Sequence, residues 1–271
     1  MTDDVPCPDT LDGLRDAILA HPRVRVVGTG SRLSWCTDWD GPCVSTRKLS
    51  GIVELRPDDF VAVAWSGTPV AELLDELAPR GLTLPLATGL PPVLTQRYGT
   101  LGGLFSCGLP HSLEGCHGTI RDQVLGIQVV RGSGEVAKAG SAVLKSVAGF
   151  DIQRFAVGAR GGLFAISQVT MRLAPLAAIQ PSPVEIRANA IANWVARLPR
   201  SQAPNFAEST AGAVAIDPTT GTVWASESLT NPNGWFMGPR GARSSNGLQA
   251  LERSAKESFD PDGRFIGGWG A

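Results

Sequence analysis

Three glycine-bearing stretches hold the residues best able to do chemistry. In "VVGTGSRLSW" (26–35) an apolar run ends in Gly28, Thr29, Gly30 and Ser31, a turn whose successive amides can converge on an anion while Ser31 adds a hydroxyl. The spacing is neither G-x-x-x-x-G-K-[ST] nor a G-x-G-x-x-G opening a helix, so P-loop and Rossmann readings are set aside. In "TLGGLFSCG" (100–108), Thr100 to Gly103, then Ser106 and Gly108, describe backbone that passes close to something flat or charged. Arg121 and Asp122 follow at the head of an apolar run, where a charge must be satisfied. In "LKSVAGFDIQRFAVGARGGLF" (144–164), Lys145 stands before a tight turn, Val147 to Asp151, and Gly158, Gly161 and Gly162 permit close approach at the next strand.

The elements that must position these stretches read as follows. Asp9 or Thr10 caps a helix whose Leu11, Leu14, Ala17 and Ile18 recur at helical spacing, and His21–Pro22 ends it. Val24 to Val27 is a short strand. "GIVELRP" (51–57) and "FVAVAWSG" (60–67) are two strands joined tightly at Pro57–Asp59. Thr68 is expected to cap, and Pro69 to open, a helix with Val70, Leu73, Leu74 and Leu77 on one face and Gly81 past its end. Arg121–Asp122 should begin the strand "VLGIQVV", which forms a hairpin with "EVAKAG" across Arg131–Gly134. Residues 150–159 read as a helix and 164–175 as a long strand. Beyond Pro175 the composition shifts. A helix is expected around Trp194, a hairpin over 213–226, and loop over 230–247.

Composition narrows the function. The 271 residues carry 24 basic and 25 acidic side chains, net −1, so nothing favours nucleic acid or an anionic membrane surface. Cys7, Cys36, Cys43, Cys107 and Cys116 are odd in number and show no C-x-x-C, which argues against a disulfide framework or a zinc or iron–sulfur site and for reduced thiols. An acidic N-terminus without an apolar run, and the lack of a long uncharged apolar stretch, point away from a signal peptide or membrane span. A cytoplasmic protein is expected.

Taken in order, T-L-G-G, a small residue and Gly, G-x-x-R-D-x-V-L-G-x-x-V-V, K-x-V-A-G-[YF]-D and V-T-x-[KR]-L resemble the FAD-binding PCMH-type domain of the vanillyl-alcohol oxidase/p-cresol methylhydroxylase superfamily. Within it the resemblance is nearest to the FAD-binding subunits of bacterial glycolate oxidases. It covers residues 24–175, with an echo in "FDPDGRF" (259–265). It implies an α+β fold of two subdomains: residues 1–175 form the FAD-binding domain, 176–250 a reduced cap, and 251–271 a C-terminal segment returning to the FAD domain. It further implies non-covalent FAD held by Gly28, Thr29, Gly30, Ser31, Arg32 and Leu33, with Thr100, Leu101, Gly102 and Gly103 passing beneath the phosphates. Ser106, Gly108, Ile120, Arg121, Asp122, Lys145, Ala148, Gly149, Asp151 and Ile166 would line the rest. Relatives carry R-G-G-G-[ST]-K in the first turn; here Val27, Thr29 and Arg32 stand for its arginine, a glycine and its lysine.

The implied activity is oxidation of a small 2-hydroxy acid in a hetero-oligomer, with a larger paralogous flavoprotein and an iron–sulfur subunit taking the electrons. Any membrane association would come through those partners. Such oxidation needs a base for the hydroxyl proton and a cation for the carboxylate. His117 is the best-placed candidate base on the resemblance; Arg97, Arg121 and Arg240 could meet a carboxylate, and Tyr98 is the sole tyrosine. The catalytic base is not identified by the sequence. Two alternatives stay open: a flavin-depleted assembly subunit, suggested by Val27, Thr29, Phe164 and the short cap, and a stand-alone oxidase. Trp235, Phe236 and Met237, with Trp269, are either a loop tucked onto the cap or an anchor for a partner subunit.

Overall fold

The computed structural model describes residues 5–92, 94, 99–140, 152–180, 184–229, 235–238 and 249–267. The chain opens with helix α1 (Leu11–Leu19), where the Thr10 hydroxyl accepts from the Gly13 amide at 3.1 Å and Leu14 and Ile18 are fully buried one turn apart. Strand β1 (Arg25–Val27) pairs in parallel with β2 (Cys43–Ser45), and between them a single 3₁₀ turn, Leu33–Trp35, buries Trp35. The antiparallel hairpin β3 (Ile52–Arg56) and β4 (Val61–Trp65) leads to helix α2 (Val70–Leu77), which buries Val70, Leu73 and Leu77. Thr68 does not cap α2. Its hydroxyl donates to the Trp65 carbonyl at 2.7 Å and accepts from the Gly51 amide at 3.0 Å, tying the strand to the hairpin instead.

Short β5 (Leu82–Thr83) and α3 (Pro85–Thr88) precede helix α4 (Leu101–Cys107), which occupies the stretch read as an open glycine segment. The signs of a helix were there. Thr100 caps it by accepting from the Gly103 amide at 3.4 Å, Leu101, Leu104 and Phe105 form its buried face, and Gly108, at φ +69°, ends it. Helices α5 (Glu114–His117) and α6 (Ile120–Gln123) follow, so Arg121 and Asp122 lie in a helical turn and not at the head of a strand. The cause is a capping box: the Asp122 carboxylate accepts from the Thr119 amide at 2.8 Å and hydroxyl at 2.7 Å.

Strands β6 (Val124–Val130) and β7 (Val136–Gly140) form the expected hairpin, and a 3₁₀ turn at Ile152–Ala156 replaces the expected helix over 150–159 in its described part. Strand β8 (Ala165–Arg172) completes an antiparallel sheet ordered β3-β4-β8-β6-β7, against which α4 packs; β9 (Ala174–Pro175) pairs with β5.

Next come β10 (Glu185–Ile186), β11 (Trp194–Arg197), α7 (Ala203–Ser209), β12 (Ala213–Asp217), β13 (Thr222–Ala225) and β14 (Trp235–Met237), giving a second antiparallel sheet ordered β10-β12-β13-β11-β14. Trp194 therefore starts a strand, not a helix. Both faces of β11 and β13 are covered: Val195 and Trp224 join the main core, while Ala196 and Val223 pack in a second cluster under α7, so the strand lost its polar alternation. Part of the expected loop 230–247 is strand β14, held by pairing with β11. Helix α8 (Gln249–Phe259) brings the chain back to the first unit, where Phe265 forms a parallel bridge with Val24 and is buried.

Candidate cofactor-binding site

The turn leaving β1 and the start of α4 are about seventy residues apart in sequence, yet both line one cleft. Gly28 to Leu33 form one side. Thr100, Gly102, Gly103 and Ser106 form the floor, and Ile166 closes the far wall with Gly161, Phe164 and Ala165. Thr46, Ser66, Cys36 and Arg160 also line it, and sequence reasoning singled out none of these for the site. The only signal for Ser66 was a small polar residue where strand β4 runs into the next turn.

The glycines have two separate causes. A Cβ on Gly28 would sit 2.1 Å from the Thr100 hydroxyl, and one on Gly102 would lie 2.9 Å from the Ser66 Cβ, so these two serve packing of the protein on itself. A Cβ on Gly103 would meet nothing nearer than the Thr100 hydroxyl at 3.5 Å and the Arg32 guanidinium at 3.6 Å. That position faces the cleft.

The polar groups of the cleft point to an anion. Among the described residues the amides of Thr29, Gly30, Ser31 and Arg32 donate to no protein acceptor. The Arg32 side chain is 6% exposed and none of its three nitrogens has a partner, and the buried Ser66 hydroxyl is also unpartnered. Burial pulls Arg32 down to about 10, which still leaves it charged at neutral pH. Arg160 adds a second guanidinium, which donates to the Trp35 carbonyl at 2.9 Å, and among the described residues the lining contains no aspartate or glutamate. Cys107 is pushed up to about 12 by burial and Cys36 is raised for the same reason, so neither thiol supplies a counter-charge.

A second, wider cleft adjoins the first and shares Cys107 and Arg160 with it. Gly108, Ile120 and Arg121 line this second cleft, together with Arg154, Arg197, Glu114 and Met237. The Arg121 guanidinium donates to the Val157 carbonyl at 3.5 Å, and Arg197 on β11 pairs with Glu114 on α5 at 2.7 Å. Leu101 points into the core and Asp122 is occupied by its cap, so these two expected site residues line neither cleft. The Thr119 hydroxyl, its largest influence, lowers the Asp122 carboxyl. Lys145, Ala148, Gly149 and Asp151, with Arg97, Tyr98 and Arg240, lie outside the described residues.

No histidine lines either cleft among the described residues. His117, the best-placed candidate base on the resemblance, ends α5 outside both linings. His111 is buried, with Nε2 accepting from the Gln123 amide nitrogen at 3.2 Å, and desolvation pulls it down to about 3. It stays neutral and structural. Among the described residues no group of three His, Cys, Asp or Glu could hold a metal ion, and no helix is long and apolar enough to cross a membrane.

Residues 9–140 match the family described as the FAD binding domain. The chain is 31% identical over 165 residues to the glycolate oxidase subunit GlcE of Escherichia coli (strain K12), which takes in 61% of this chain and 46% of that one. It is 31% identical over 133 residues to the mitochondrial D-lactate dehydrogenase (cytochrome) of Arabidopsis thaliana, 49% of this chain and 22% of that one. It is also 26% identical over 183 residues to the glycolate oxidase subunit GlcD of Bacillus subtilis (strain 168), 65% of this chain and 37% of that one. The matches thus span less than half the length of these relatives. Among solved structures, alkyldihydroxyacetonephosphate synthase shares the fold, with a TM-score of 0.50 and 15% identity over 75% of this chain and 36% of its own.

Proposed function

We propose, from the premise that residues 9–140 of this chain are a FAD-binding domain of the PCMH type, that the protein is the FAD-binding subunit of a hetero-oligomeric 2-hydroxy-acid oxidoreductase. One observation carries the reading. Two distant glycine segments meet in a single cleft whose unengaged amides, unpaired Arg32 and unpartnered Ser66 suit a diphosphate, with no carboxylate in its lining among the described residues. The residues present therefore fit FAD, which when bound supplies a hydride acceptor. In this reading Gly28 to Arg32 hold the diphosphate, Gly103 leaves room for it, and the second cleft receives the substrate, whose carboxylate faces Arg121. Residues 1–175 are then the flavin domain, 176–250 a reduced cap, and 251–271 a return to the flavin domain.

The hetero-oligomer part of the proposal draws on two supports. Two of the matched relatives bear the names of glycolate oxidase subunits. The described lining of the second cleft offers no histidine or tyrosine, and of its two carboxylates, Glu114 and Glu252, the first is paired with Arg197; we assign the proton acceptor to a larger paralogous flavoprotein. Electrons then leave through an iron–sulfur partner, and the complex is cytoplasmic, reaching a membrane only through other subunits.

The test is spectroscopic. The purified chain should be yellow and release FAD on acid precipitation, and glycolate or D-lactate should bleach it only in the presence of the partner flavoprotein. A colourless chain that co-purifies with a flavoprotein overturns the redox reading in favour of an assembly role. Bleaching by the isolated chain overturns the need for a partner.

A further inference from the structure

Arg32 raises a question that cofactor binding alone does not answer. It lies in the wall of the first cleft with all three guanidinium nitrogens unpaired, 6% exposed, and packed where a Cβ on Gly99 would otherwise sit. Among the described residues no neighbour neutralises it. The lining carries a second guanidinium, Arg160, two thiols raised by burial, and no carboxylate among the described residues. An arginine in this position cannot escape by giving up its proton as a lysine could, because even the value of about 10 keeps it charged at pH 7. Leaving such a charge buried without a partner is costly.

We infer that Arg32 makes the stability of this chain conditional on a diphosphate in the first cleft, and that the cleft takes inorganic pyrophosphate by itself, without the flavin or the adenosine. The inference rests on the reading of the cleft as the FAD diphosphate site. It goes beyond that reading in assigning to one side chain a penalty in the empty protein and a bidentate hold on the anion, with the amides of Thr29 to Arg32 and the Ser66 hydroxyl as the remaining donors. Affinity for the bare anion follows, because the same contact that holds it removes the uncompensated charge.

The experiment uses the full chain freed of flavin, melted at constant ionic strength while sodium pyrophosphate replaces sodium chloride. The wild type should gain roughly 5 °C at a hundredfold excess over the dissociation constant. Arg32→Met should melt at or above the empty wild type and bind pyrophosphate at least tenfold more weakly; Arg32→Lys should keep a reduced response. No pyrophosphate shift in the wild type overturns the inference. So does an Arg32→Met chain that melts below the wild type, or one that keeps the full shift. Flavin content of the protein as purified reads the other proposal separately: a yellow chain indifferent to pyrophosphate sinks this inference alone, and a colourless chain that responds sinks only the flavin reading.

Discussion

Gly102 and Gly103 are neighbours in sequence and alike in type, yet their substitution should have opposite consequences. Alanine at Gly103 adds a Cβ 3.5 Å from its nearest protein neighbour in the first turn of α4, where replacing glycine favours the helix by up to about 1 kcal/mol. The flavin-free Gly103→Ala chain should therefore melt higher than the wild type while retaining less FAD. Alanine at Gly102 instead drives into Ser66, and the empty chain itself should lose stability. Equal FAD retention in wild type and Gly103→Ala would remove Gly103 from the site. A second residue, His111, sets a pH dependence. Its folded value of about 3 lies below the ordinary 6.5, so its contribution is complete above about pH 6.5 and is lost as pH falls toward 3, at up to about 1.4 kcal/mol per pH unit. Urea midpoints measured from pH 7 to pH 5 should fall more steeply for the wild type than for His111→Leu. Parallel profiles would show that the imidazole protonates as freely in the folded chain as in the unfolded one.

At the scale of elements, what the sequence revealed depended on whether the signal was local. Helix α1 and hairpins β3–β4, β6–β7 and β12–β13 were legible because capping, turn glycines and apolar spacing all act within a few residues. Helix α4 was missed although Thr100 and Gly108 bracket it, because its glycines were read as open backbone when Gly102 is set by Ser66 from another strand. Strand β11 was misread because burial on both faces erased the alternation. The short echo "FDPDGRF" turns out to be a staple: the Asp260 carboxylate, fully buried, accepts from the Lys256 ammonium at 2.5 Å, the Phe265 amide at 2.8 Å and the Arg264 amide at 3.1 Å. Lys256 also donates to the Gly162 carbonyl at 2.6 Å, beside the wall of the first cleft. Asp260→Ala leaves that ammonium without its counter-ion and should cost about 3–5 kcal/mol. Hydrogen exchange should then quicken at the Val24–Phe265 bridge and around Gly162 together; exchange that quickens at only one of them would mean the staple does not couple the C-terminal return to the cleft.

For the molecule as a whole, the question is what seats the second sheet on the first unit, since the second cleft lies where they meet. Apolar burial is one answer. Val195, Trp224 and Met237 enter the same core as Leu101, Phe105 and Val130, and no sequence pattern could have announced this, because the partners are more than sixty residues apart. The polar answer is the Glu114–Arg197 pair, in which Glu114 also accepts from the His111 amide at 3.3 Å and Arg197 also donates to Thr222 on β13 at 3.3 Å. The side chain of Glu114 is 8% exposed and that of Arg197 33%, so the pair is partly screened and its coupling should be about 1 kcal/mol, not the several expected of a fully buried pair. A double-mutant cycle of Glu114→Gln and Arg197→Met measures that coupling directly. We expect each single variant to destabilise, the double to lose less than their sum, and the coupling to shrink little between low and high salt because the carboxylate is shielded from solvent. Additive losses would leave the apolar contacts alone to hold the two sheets in register, and the second cleft would then be free to open without breaking an ion pair.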